Sequence, residues 1–127
     1  MNAATLLQAS AVAAGAAAGA LARWGLGRAL NPLWAGFPLG TLAVNVLGGF
    51  LIGLALPWLE GRSELLRLLL VTGVLGGFTT FSAFSAESLA LLQRGHYGLA
   101  LGHTALHVLG ALASAALGLR LMQLGLD

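Results

Sequence analysis

The residues of this chain that could do chemistry are few, and they fall in three short stretches. The densest runs Gly76-Gly77-Phe78-Thr79-Thr80-Phe81-Ser82-Ala83-Phe84-Ser85-Ala86-Glu87, a glycine pair followed by four hydroxyl residues within seven positions. Paired glycines weaken a helix and hydroxyl side chains compete for its backbone partners, so a broken helix is expected here. At such a break freed carbonyls can bind a cation and freed N–H groups an anion. Phe81 and Phe84 are three apart and share a helix face. On an apolar helix such a pair reads as an aromatic packing stripe. The second stretch sets Thr41 and Asn45 one helical turn apart, with Gly48 and Gly49 following. Asn45 is either an interhelical hydrogen bond or polar lining. The third sets His103 and His107 four apart. That spacing can bind a metal, but the segment holds no acid, no Cys and no His-Glu-x-x-His pattern. Polar lining, or a hydrogen bond to a neighbouring helix, fits better. No nucleophile, base and orienting group form a set, so the chain is not read as an enzyme.

The elements that must position these residues are membrane spans. Hydrophobic residues make up 58% of the 127-residue chain and charged residues 8%, against about 25% charged in soluble domains. Charge-free runs from Ala3 to Ala22, Ala29 to Leu59, Leu68 to Ala86 and Gly95 to Leu119 are each long enough to cross a bilayer. Four transmembrane helices follow, over approximately 3–24, 37–59, 66–92 and 96–122, in a single all-α domain. The alternating polarity of barrel strands is absent. No Lys or Arg precedes the first run, so it is read as a retained helix and not a signal peptide. Asn31-Pro32 and Pro38 place a loop before the second helix. Trp24, Trp34 and Trp58 suit the membrane interfaces. The chain is thus a multi-pass protein of the cell membrane, with lipid as a partner. Scattered arginines give no footprint for nucleic acid, and there is no cysteine.

Small residues four apart, Gly15 with Gly19 and Gly49 with Gly53, predict close helix contacts. Arg62, Arg67 and Arg120 fall on one side of the membrane, and Arg23, Arg28 and Arg94 on the other. Three against three gives the positive-inside rule nothing to act on. Short loops with few charges would produce that balance, and so would a chain that inserts both ways. The interior of the spans carries no full charge on this reading, with Glu87 placed near a membrane end.

Three motifs together resemble the CrcB/Fluc family of fluoride channels. Gly19-Ala20-Leu21-Ala22-Arg23 is similar to the family's Gly-Ala-x-x-Arg. Gly40-Thr41-Leu42-Ala43-Val44-Asn45-Val46-Leu47-Gly48 is similar to its Gly-Thr-Leu-x-Val-Asn-x-x-Gly. The stretch from Gly76 through Ser82, with Phe84-Ser85-Ala86-Glu87, is similar to its third-span signature. The resemblance implies an antiparallel, dual-topology homodimer that exports fluoride passively and lowers it in the cytoplasm. It implies a structural sodium ion at the dimer interface, held by the carbonyls of Gly76 and Thr79 from both subunits. Phe81 and Phe84 would form an aromatic box, Asn45 and Ser82 would add polar lining, and Thr80 would join a polar track. Arg23 would be a structural or vestibular arginine and Glu87 would lie near a pore mouth. The chain departs from the family at Ala83, where Thr is frequent, at Gly49, where Ser is frequent, and at His103 and His107, where Tyr and Ser are common. The two histidines are nonetheless assigned to the fluoride pathway. A small multidrug-type or proton-coupled dual-topology transporter is the alternative, but the first span has no acidic residue for the former and the chain offers no buried acid pair for the latter.

Overall fold

A computed structural model describes residues 1–126. Four long apolar helices are present, α1 (Ala3–Leu30), α2 (Leu39–Trp58), a composite third span (Glu64–Gln93) and α6 (Tyr97–Leu126). Each is long and apolar enough to cross a membrane. Local chemistry sets their ends. Asn2 caps α1, its Oδ1 accepting from the Thr5 N–H at 2.9 Å. Helix α1 runs on past Arg23 and Arg28 until Asn31-Pro32, where the chain turns through a short 3₁₀ segment, Asn31–Leu33. Pro38 offers α2 no side-chain cap; Asn31 supplies one from the loop, its Oδ1 accepting from the Gly40 N–H at 2.7 Å.

The third span is interrupted. It consists of α3 (Glu64–Arg67), a π-helical stretch (Leu68–Leu75), α4 (Gly76–Phe78) and α5 (Phe81–Gln93). Between α4 and α5, Thr79 and Thr80 leave the helix for extended backbone, with φ/ψ of −84°/159° and −149°/115°. The Thr80 side chain caps α5 by accepting from the Ala83 N–H at 3.1 Å. The break therefore comes at the threonines, where a hydroxyl can cap a new helix, and not at the glycine pair.

The glycines of Gly76-Gly77 remain helical. A Cβ at Gly77 would run into the backbone of Ala16 on α1, so that glycine serves close approach. The same holds along the whole α1 contact. Gly15 and Gly73 face one another so closely that a Cβ on either would lie 2.9 Å from the other's Cα. Helices α2 and α6 pack in the same manner: a Cβ at Gly49 would meet Ser114 Oγ at 2.9 Å, and one at Gly53 would meet the Leu119 N at 2.8 Å. Ser114 fixes this contact further, its hydroxyl donating to the Val46 carbonyl at 2.7 Å. In lipid, where apolar burial gives helices little mutual attraction, such backbone proximity and interhelical hydrogen bonds supply the association. Gly48 admits the Thr79 side chain, bringing α2 directly against the break.

Candidate functional site

The break would leave peptide groups unpaired at mid-membrane unless something satisfied them. Asn45 does so from α2. Its Oδ1 accepts from the Thr80 N–H at 2.8 Å and its Nδ2 donates to the Thr80 carbonyl at 2.9 Å. In an unbroken helix that N–H would donate to the carbonyl of Gly76. Here it is given to Asn45, which releases the Gly76 carbonyl from that bond. On the opposite side Arg23 Nε donates to the Gly77 carbonyl at 3.0 Å, so α1 also holds the end of α4. Arg23 is thus a structural tie between the first span and the break.

Asn45 has a further neighbour, His107 Nδ1, 3.0 Å from its Nδ2. His107 and His103 are both buried on α6, with ring centroids 4.4 Å apart. Phe84 stacks on His103 at 5.5 Å and lies 4.8 Å from His107. Phe37, from the loop before α2, closes over His103 edge-on at 5.5 Å. His103 Nε2 is 3.0 Å from Glu87 Oε2, and its Nδ1 is 2.8 Å from Ser88 Oγ. The Thr41 hydroxyl donates to the other oxygen of Glu87. Two hydrogen-bonded groups therefore meet where the His103 and His107 rings touch, Thr41–Glu87–His103 on one side and His107–Asn45–Thr80 on the other, together a polar file drawn from α2, α5, α6 and the break.

Glu87 lies inside the third span, half-buried, with both oxygens bonded within the bundle. The span of α6 indeed has no acid, but the acid comes from α5. Glu87, His103 and His107 each place one ligand-type atom within 4.8 Å of the others.

Asn45, Thr80, Phe84 and His107 form one wall of an open groove of ≈ 520 Å³, which Gly76, Thr79 and Phe81 also line. The two phenylalanines differ sharply. Phe84 is 8% exposed, whereas Phe81 is 78% exposed, their ring centroids 5.4 Å apart. Ser82 is exposed too, with its hydroxyl 3.2 Å from that of Thr80. Ser88 and Phe37 were not singled out from the sequence as site residues, and Gly48 was noted there only beside Asn45. Ser88 directly follows Glu87 and its hydroxyl type was the available signal; Phe37 carried none that separated it from packing residues.

Residues 10–119 match the profile of a family described as CrcB-like protein, Camphor Resistance (CrcB). A protein of Aromatoleum aromaticum named fluoride-specific ion channel FluC is 54% identical over 111 residues, covering 85% of each chain. One of the same name from Bordetella petrii is 55% identical over 112 residues, 86% of each chain. Another, from Tolumonas auensis, is 48% identical over 117 residues, 90% of this chain and 92% of the relative.

Proposed function

The chain belongs to the CrcB family of fluoride channels, and we propose that it conducts fluoride passively and selectively across the cell membrane, lowering cytoplasmic fluoride. It is a channel and not an enzyme. The observation that carries this is the break at Thr79-Thr80, clasped by Asn45 and opening on a mostly apolar groove that Phe81, Phe84, Thr79, Thr80 and His107 line. Fluoride is small and strongly hydrated, so a pore must replace its water with donors and positive edges. It must also hold the ion weakly enough to release it. No arginine lines the groove, which suits weak, repeated contacts. The carboxylate of Glu87 does not stand bare in the path, since Thr41 and His103 meet both its oxygens.

The working unit on this reading is an antiparallel homodimer with the groove at its interface. The exposure of Phe81, the openness of the groove and the three-to-three division of arginines support it. A sodium ion would sit at that interface, on the carbonyls of Gly76 and Thr79 from both subunits. The diversion of the Thr80 N–H to Asn45 supports this, because it releases a carbonyl at the right position. Phe81 and Phe84 serve as the aromatic box, with Asn45, Thr80, Ser82, His103 and His107 as polar lining. A multidrug-type carrier has no acidic residue in α1 to work with.

Expression in a bacterium stripped of its own fluoride export tests the function in cells. Growth in fluoride should recover with this chain and fail to recover with its Asn45→Leu variant. No recovery with the unaltered chain, despite its presence in the membrane, contradicts the reading. Cysteines placed at both membrane surfaces and crosslinked in intact membranes test the dimer. Antiparallel subunits crosslink α1 ends that a parallel pair would keep together only like with like.

A further inference from the structure

We infer that His107 is locked as one neutral tautomer, with its proton on Nε2, and that this N–H is a fixed donor held for an acceptor that is not part of the chain. The chain of constraint begins at the Thr80 peptide, whose N–H can only donate and whose carbonyl can only accept. Those two groups orient the Asn45 amide without ambiguity: Oδ1 faces the N–H at 2.8 Å and Nδ2 faces the carbonyl at 2.9 Å. One Nδ2 hydrogen goes to Thr80 and the other points at His107 Nδ1, 3.0 Å away. A ring nitrogen met by a donor must offer its lone pair, so Nδ1 is bare and the ring proton sits on Nε2.

His107 is 4% exposed, and its Nε2 has no hydrogen-bond partner among the described residues. A buried, unpaired donor is costly, so its retention points to an acceptor that is not part of the chain. The acceptor has to be an ion or molecule with lone pairs and no proton to oppose the N–H. The reading of the groove as a fluoride path supplies it, and the ligand's identity rests on that reading; the tautomer does not.

The same lock decides against a metal at Glu87, His103 and His107, although their ligand-type atoms lie within 4.8 Å of one another. A metal needs a lone pair on each nitrogen. His107 presents a proton at Nε2, and its only lone pair is covered by Asn45. Nor can Nδ1 take up a second proton without expelling Asn45 from the break. The titratable groups near His107 are His103 on its own helix and Glu87 from α5; from α2 it meets Asn45. Asn45 is thus a positioning residue twice over, for the break and for the histidine's proton.

Nitrogen-15 spectra of the histidine rings, recorded on the whole protein in bicelles and assigned by comparison with His107→Gln, test this. The expected His107 signal pair is pyridine-type at Nδ1 and pyrrole-type at Nε2, unchanged between mildly acidic and alkaline pH. Excess zinc should leave that pair in place, and fluoride should move the Nε2 signal. Asn45→Asp, which puts an acceptor against Nδ1, should invert the tautomer. In flux, His107→Asn should fall roughly tenfold or more below His107→Gln, because only Gln carries a donor at the ε position. A reversed or averaged tautomer, a doubly protonated ring or zinc binding at Nε2 overturns the inference. If the unaltered protein passes no fluoride, the channel reading fails while the ring spectrum still decides the tautomer.

Discussion

Replacing Asn45 with Leu keeps the branched side-chain skeleton and removes all three hydrogen bonds that Asn45 makes at the break in the third span. Three contacts are lost, at 2.8, 2.9 and 3.0 Å. Two of them leave the Thr80 N–H and carbonyl without partners. Two figures compete for the cost. Interhelical hydrogen bonds in membranes average about 0.6 kcal/mol, because an unfolded chain in lipid finds substitutes for them. An orphaned buried peptide group costs about 1–3 kcal/mol. Thr80 sits in extended backbone, with φ of −149°, so the helical partners that would offer substitutes are out of register. The orphan figure governs, and a destabilisation of about 2–6 kcal/mol is expected from the two groups together. Reversible unfolding by denaturing detergent in mixed micelles, followed by the fluorescence of Trp24, Trp34 and Trp58, measures it. Leu47→Ala, on an exposed face of α2, is the control and should shift stability far less. A loss for Asn45→Leu of about 1 kcal/mol or less, the sum expected for two ordinary membrane hydrogen bonds, would contradict the assignment of Asn45 as the clasp of the break.

Phe81→Ile should slow or stop fluoride flux while leaving the unfolding of the single chain almost unchanged, since Phe81 is 78% exposed; unchanged flux would remove it from the pathway. Gly53→Ala should destabilise by about 1–3 kcal/mol, the range for overpacking, because its new Cβ would press on the backbone at Ala115 and Leu119; the same unfolding assay checks it. Arg23→Ala should cost about 1–2 kcal/mol through the orphaned Gly77 carbonyl, with Arg23→Gln recovering part of that. Glu87→Gln should lower flux by disturbing His103, to which it lies at 3.0 Å, and a flux equal to that of the unaltered protein would take Glu87 out of the polar file.

The four spans were legible because charge-free length alone marks a crossing helix. The break was legible in kind, since glycine and threonine both weaken a helix, but its position was not. Gly76-Gly77 and Thr79-Thr80 make the same local argument, and only the packing of Gly77 on Ala16 tells them apart. Asn45 and the His103–His107 pair stood out as polar residues where polarity is expensive. Their partners did not. The bond of Asn45 to Thr80 spans 35 positions and that of Glu87 to Thr41 spans 46. Such pairs depend on how far each helix is rotated about its axis, which spacing along one segment does not encode. The π-helical stretch at Leu68–Leu75 hides for a related reason. Its run of Leu and Val suits any buried helix, and the backbone contact of Gly73 with Gly15 becomes visible only once α1 is in place.

The most direct test is ion release from liposomes holding the purified protein, loaded with fluoride or with chloride and read by ion-selective electrodes. A passive fluoride channel should empty its vesicles of fluoride rapidly, without a proton gradient, and retain chloride. Retention of fluoride, equal release of both ions, or fluoride release only against a proton gradient would contradict it.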